Sequence, residues 1–308
     1  MTPTPLLDIT ELGFAGSTRV FAKCENRNPL SQSHYDRVYD YLFNVFMQRG
    51  LIKRGKTLLI ESSSGNAGTA FARFCKHYGF EGIVVFPSEV RPARVAATAA
   101  RGVTIEVAPY PGYMKGARRR MLEIAKAARS DGRDIFIMNH SQLWESVMAL
   151  GWCGQEIVDE FHSLRVRPDL FVSALGNGTS TTGIGLRLRQ FFPGVRIFGF
   201  EPSCSPVVTN MIADQSEFAY RTSNITGTGV WGIPFPNFHI ELIDGVELVE
   251  EDEADIARWA AIRAEVNDRF GHSIGLTSCV AIDVARRCSV RNPGETIVTV
   301  FYDVGEFY

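Results

Sequence analysis

The segment FVSALGNGTSTTGIGLRLRQ, Phe171 to Gln190, decides the reading of this chain. With Leu170 it opens as a short apolar run, which predicts a buried strand, and the stretch from Thr182 to Pro193 predicts a helix. Between them lies GNGTSTTG, Gly176 to Gly183. Its three glycines let backbone N–H groups converge on one point, and Thr179, Ser180, Thr181 and Thr182 add hydroxyl donors. A helix N-terminus follows, whose dipole favours an anion. No Gly-Lys-Ser/Thr closes the loop, so it is not a Walker A motif. The spacing Gly-x-Gly-x-x-Gly fails at Thr181, so it is not a dinucleotide fingerprint. Two readings stay open from these residues: a phosphate cradle, and a tight turn capped by Thr or Ser. On the first, a bulky residue at Gly178 abolishes anion binding with little loss of fold.

Outward from this segment the same alternation continues. On its N-terminal side TLLIESSS (57–64), GIVVFP (82–87), VTIEVAP (103–109) and IFIMN (135–139) read as strands. They are separated by helical stretches at 67–79, 93–102 and 113–132, and the helix 152–164 precedes the decisive strand. On its C-terminal side come the strand RIFGFEP (196–202), helices at 253–271 and 278–289, and a closing strand, TIVTVFYD (296–303). Strand–helix–strand order of this kind implies parallel strands with crossover helices. The expectation is two α/β lobes, one built from residues 1–38 plus 145–308 and carrying the phosphate loop, and a smaller, mobile one from 39–144 carrying a substrate loop. Ligands in such sheets sit beyond the carboxyl ends of strands. SSSGNAG (62–68) and GTGVWGIP (227–234) are further Gly-rich turns there; amides and hydroxyls of the first suit a carboxylate or phenolate, or simply cap a helix.

Composition bounds the function. The 308 residues are 45% apolar and 21% charged, with 32 Lys+Arg against 34 Asp+Glu and a net charge of −2. Such a chain builds a sizeable core, and no basic excess points to nucleic acid. No uncharged apolar run is long enough to span a bilayer, and the N-terminus lacks the pattern of a secretory signal. Six scattered cysteines without a CxxC fit reduced thiols in a cytosol, and six scattered histidines without HExxH argue against a metal site. Lys115, Arg118, Arg119 and Arg120 read as a solvated helix face, the four tryptophans as core or interface, and His140 as a structural hydrogen-bonding residue near the cleft.

Nine motifs, in order, resemble the fold-type II pyridoxal-phosphate superfamily of cysteine synthases, threonine dehydratases and the tryptophan synthase β-subunit. TPLLDI (4–9) resembles its opening TPL, FAKCENRNP (21–29) its KLE…NP, ESSSGNAG (61–68) its EPTSGNTG, and FEGIVVFP (80–87) the strand after it. The decisive segment is similar to GTGGTxTG, the family's cofactor-phosphate loop. VRIFGFEP (195–202), GTGVWGIP, GLTSCVAI (275–282) and VTVFYDVGEFY (298–308) match the remaining motifs in turn. The resemblance implies a tryptophan synthase β-subunit-like fold, a cytoplasmic homodimer, and amino-acid chemistry of the lyase or transferase kind. It also implies residue roles. Gly176, Asn177, Gly178, Thr179, Ser180 and Thr182 would hold a phosphate, and Asn66 would meet the cofactor's phenolic oxygen. Ser63, Ser64 and Gly65 would bind a substrate carboxylate, and Gly227 to Gly229 would line the cofactor's exposed face. Thr277 or Ser278 would face the pyridine nitrogen, spacing not deciding which; Cys279 would narrow that turn or simply pack.

One departure outweighs these matches. The family motif ends Ser-x-Lys-Asp-Arg, and that lysine forms the Schiff base. Here Ser33-His34-Tyr35-Asp36-Arg37 puts Tyr35 at the lysine position, while counting from Asn28-Pro29 puts His34 there with one residue inserted. Lys23 matches a different family lysine. Pyridoxal phosphate would then be held noncovalently, as an adduct with an amino acid, or not at all, and Tyr35 or His34 would move the proton. A helix N-terminus at Tyr35 is expected to lower its pKa. Two functions follow: a divergent enzyme for elimination, replacement or condensation at an amino acid, and a pseudoenzyme that binds a metabolite or a catalytic homologue.

Overall fold

In the computed structural model, which describes residues 2–215, 218–233 and 235–305, the apolar runs form two separate sheets. The larger holds Leu6–Asp8 (β1), Arg19–Lys23 (β2), Leu170–Ala174 (β7), Arg196–Pro202 (β8), Gly245–Val249 (β9) and Thr296–Val300 (β10). Its order is β1-β2-β10-β7-β8-β9, parallel except for β1 against β2. The smaller holds Leu58–Ser62 (β3), Gly82–Phe86 (β4), Thr104–Val107 (β5) and Ile135–Ile137 (β6), all parallel in the order β5-β4-β3-β6.

Helices cover both faces of each sheet, as parallel strands require. On the small sheet, Leu59 points toward Tyr35–Gln48 (α1) and Asn66–Tyr78 (α2). Its neighbours Leu58 and Ile60 point the other way, toward Met114–Ser130 (α4). Period-two alternation along β3 fixes this. Pro92–Ala99 (α3) links β4 to β5. On the large sheet, Trp144–Leu164 (α5) and Thr179–Phe191 (α6) cover one face, and Glu253–Phe270 (α8) and Leu276–Arg291 (α9) the other. Val207–Ile212 (α7) follows β8. Trp259 on α8 is fully buried, as the core reading expects, whereas Trp144 and Trp152 on α5 are 44% and 60% exposed. Each large apolar side chain so buried stabilises the fold by ~1.5–3 kcal/mol.

Close crossing of α5 and α6 depends on missing side chains. A Cβ on Gly154 would lie 2.8 Å from Arg187 Cβ, and one on Gly183 would lie 2.5 Å from the Val147 carbonyl oxygen. Gly183 therefore serves helix packing rather than the loop, which corrects its place among the three converging glycines.

Chain order identifies where ligands belong. The strand order reverses between β10 and β7 in one sheet and between β3 and β6 in the other. Segments leaving the carboxyl ends of these four strands line a single cleft of about 820 Å³, open mouth included. Both switch points thus open onto one space, of a size usual for a cofactor or substrate. Among the described residues no helix is long and apolar enough to cross a membrane, and no His/Cys/Asp/Glu group is arranged for a metal ion.

Candidate active site

After β7 the backbone turns at Gly176 to Gly178 and enters α6 at Thr179. Gly178 has φ +83°, and a Cβ there would lie 1.9 Å from Phe238; one on Gly176 would lie 2.0 Å from the Gly227 carbonyl oxygen. Both glycines are thus required by neighbouring backbone and ring, so substitution of Gly178 disturbs packing as well as the cleft. The amides of Asn177, Gly178, Ser180 and Thr181 donate to no backbone acceptor among the described residues. Gly176, Asn177, Gly178 and Ser180 line the cleft. Four free amides at a helix N-terminus suit an anion. The hydroxyls do less than expected. Thr179 is buried and donates to Asn177 Oδ1 at 2.7 Å, and Thr182 accepts from the His239 amide at 3.3 Å. Neither faces the cleft, because α6 turns both toward protein.

After β3, Ser63, Ser64, Gly65 and Asn66 line the opposite wall. Ser63 Oγ accepts from the amides of Gly65 and Gly68 at 3.1 and 2.9 Å, so it caps α2. Asn66 Nδ2 donates to Asp303 Oδ2, and its Oδ1 is buried without a partner among the described residues. After β10, Tyr302 and Asp303 complete this side. Of the two hydroxyl residues opening α9, Thr277 lines the cleft and donates to the Thr226 carbonyl at 3.1 Å. Ser278 is fully buried and accepts from the Tyr302 amide at 2.9 Å. Gly227 lines the cleft, whereas Gly229 donates to the Leu175 carbonyl and lies off it. Pro234 and Glu306 to Tyr308, the ends of two motifs, lie outside the described residues.

Tyr35 and His34 both line the cleft, so the two alignments of their segment converge on one wall. Gln32, just before them, has a φ of +55°. Anchors on both sides hold the segment. Asp36 accepts from the amides of Leu30 and Ser31, each at 2.7 Å. Arg37 binds Glu25 at 2.6 and 2.8 Å and Glu156 at 2.7 Å through two nitrogens. Lys23 belongs to this buried cluster, 2.7 Å from Glu156, and is no part of the cleft. Among the described lining residues there is no lysine.

The electrostatics of Tyr35 reverse the expectation. Burial, reinforced by the charges of Asp303 and Glu61, raises its pKa well above the ordinary tyrosine value and outweighs the helix terminus. Its phenol is a proton donor at neutral pH. Burial also lowers His34 to about 4, so its imidazole is neutral, with Nδ1 3.4 Å from the Tyr302 carbonyl oxygen. His140, after β6, lines the cleft as well and lies 2.9 Å from Glu61. Its neighbourhood in sequence gave no sign of this pairing, because Glu61 sits 79 residues away.

A family model described as pyridoxal-phosphate dependent enzyme matches residues 1–303. The chain belongs to this family. It is 26% identical over 305 residues to a probable cysteine synthase of Bacillus subtilis (strain 168), covering 99% of this chain and 93% of that one. Among solved structures, an O-acetylserine-dependent cystathionine β-synthase of Helicobacter pylori is 25% identical with a TM-score of 0.82, covering 100% and 94% of the two chains. A hydrogen sulfide-producing enzyme of Fusobacterium nucleatum is 25% identical with a TM-score of 0.82, covering 99% and 86%. The two three-layer lobes expected from the sequence are therefore the family's fold. The family's cofactor fits the residues present in its noncovalent part: free amides for a phosphate, Asn66 and Thr277 for ring substituents, and Met114, Val230 and Ile233 as apolar wall. No lysine among the lining residues offers it a covalent bond.

Proposed function

We propose that this chain is a cysteine-synthase-like enzyme acting on an amino acid, or on its adduct with pyridoxal phosphate, by elimination, replacement or condensation, with no covalent bond between lysine and cofactor. The observation that supports it most is the cleft wall itself. Tyr35 and His34 stand there, the amide loop and Asn66 face it, and Lys23 is tied to Glu156 elsewhere. A bound pyridoxal phosphate supplies an electron sink for charge at the amino acid's α-carbon. The chain's own groups do the rest. Amides of Asn177, Gly178, Ser180 and Thr181 hold the phosphate, Ser64 and Gly65 receive the substrate carboxylate, and Thr277 meets the ring. The Tyr35 phenol, which keeps its proton, is a hydrogen-bond donor to the departing group.

The test compares ligands and variants. Incubation with excess pyridoxal phosphate, borohydride reduction and intact mass should give no stoichiometric lysine adduct in the wild type. Tyr35→Lys should give a yellow, reducible protein. N-phosphopyridoxyl-L-serine should raise the melting temperature more than inorganic phosphate does. A stoichiometric adduct in the wild type refutes the reading. Stabilisation by neither ligand favours the non-catalytic alternative.

A further inference from the structure

We propose that Glu61 and His140 form a carboxylate–imidazole dyad that serves as the proton acceptor of the cleft, with His140 Nε2 as the accepting atom. This rests on reading the cleft as a ligand site, and it assigns the base that the proposed function leaves open.

Alternation along β3 puts Glu61 on the same face as Leu59, toward α1, where it is 1% exposed. Its Oε1 accepts from the Ser62 amide at 2.9 Å. Its Oε2 accepts from the His140 amide at 3.1 Å, His140 Nδ1 at 2.9 Å and the Tyr39 hydroxyl at 3.3 Å. Three donors, the Ser62 and His140 amides and the Tyr39 hydroxyl, surround this carboxyl group whatever the tautomer; the Tyr39 hydroxyl also lies 3.2 Å from His140 Nδ1, and the dyad assigns Nδ1 as donor to Glu61, its nearer partner at 2.9 Å. The neutral ring therefore carries its lone pair on Nε2. That nitrogen has no protein partner among the described residues, and the residue lines the cleft. Asn139, at φ +48°, makes the bend after β6 that delivers the ring, and Asn tolerates this conformation.

Other groups facing the ring are Tyr39 and Tyr35 from α1 and His34 from the segment before it. Tyr35 meets it edge-on, ring centroids 5.6 Å apart at 87°. His34 has only a backbone carbonyl at its Nδ1, whereas His140 has an anion to balance the imidazolium. In the step assigned to the dyad, an X–H bond of the ligand breaks and Nε2–H forms. The electron pair stays on X, and the positive charge on the ring lies against the Glu61 carboxylate. Glu61 is a positioning residue, which sets tautomer and basicity. Tyr35 and His140 thus divide donor and acceptor across one wall.

The experiment uses the full chain with ¹⁵N-labelled histidine. NMR should show the Nδ1–H tautomer at His140. Glu61→Gln, which removes the anion, should shift the ring measurably toward the Nε2–H tautomer. Diethyl pyrocarbonate on the wild type, which needs no variant to fold, should modify His140 Nε2, and pyridoxal phosphate should slow this at least tenfold. An Nε2–H tautomer in the wild type, or a tautomer balance unmoved in folded Glu61→Gln, overturns the dyad. If pyridoxal phosphate raises the melting temperature yet leaves His140 reactivity unchanged, the dyad falls and the proposed function stands. If the tautomer and the Glu61 dependence appear without any pyridoxal phosphate effect, the dyad stands and the cofactor reading falls.

Discussion

Replacing Arg37 by Met tests whether the buried charge cluster holds the cleft-lining segment of His34 and Tyr35 in place. Arg37 donates to Glu25 twice, to Glu156 twice and to Thr4 once, at 2.6 to 3.1 Å. Glu25 is fully buried. Methionine fills most of the volume but leaves that carboxylate with Thr4, Asn28 and Cys153 and no cation bonded to it. Loss of one partner from such a pair costs about 3–5 kcal/mol. With an m-value of about 3 kcal/mol/M, the urea midpoint should fall by about 1–1.7 M. The pH dependence gives the sharper signature. In the wild type, burial raises Glu25, but Arg37 together with hydrogen bonds from Thr4 and Asn28 outweighs this, and its pKa is lowered overall. Its contribution is therefore present above the ordinary glutamate value and lost as pH falls through the folded one. In Arg37→Met the folded pKa is raised, so the penalty is full at pH 7.5 and shrinks toward pH 5. Arg37→Met/Glu25→Gln should recover most of the loss at pH 7.5. A loss below about 1 kcal/mol at pH 7.5, or one equal at pH 5, would refute the reasoning.

Two further outcomes follow from the same geometry. Gly178→Ala should lower the melting temperature by several degrees, about 1–3 kcal/mol, because φ +83° and the Phe238 ring both exclude a Cβ; phosphate should no longer raise it. Burial lowers His34 to about 4, so the unfolded chain binds more protons between pH 6.5 and 4. Stability should fall there by up to ~1.4 kcal/mol per pH unit as pH drops, and His34→Gln should flatten that slope in urea melts.

The sequence made the central strands and helices legible, because β3, β7 and β10 are apolar runs bounded by turns. It did not reveal β1 or β9, whose patterns LLD and GVELV are short and only partly buried. Ligand loops were legible as backbone: Gly176, Gly178, Asn66 and Thr277 all reach the cleft. Side-chain direction was not. Thr179 and Thr182 belong to a hydroxyl-rich motif, yet the first turn of α6 aims them inward. Tyr35 was placed correctly at a helix start, but burial decides its proton affinity, reinforced by the charges of Asp303 and Glu61 elsewhere in the chain. The pairing of Glu61 with His140 joins two strand ends that only sheet order brings together.

The sheet order also constrains how this molecule is made. β2, within the first 23 residues, lies between β1 and β10, and β10 spans Thr296–Val300. On a growing chain, β2 keeps an open edge until the last strand has left the ribosome. The small sheet, 58–137, has all its partners much earlier. Synthesis therefore separates the two sheets in time, and the larger waits on a pairing as distant as Arg19 with Thr296. Such long-range pairing is slow and leaves strand edges exposed meanwhile. Tyr302 and Asp303 arrive with β10, so a nascent chain lacks one wall of the cleft until that strand has been made.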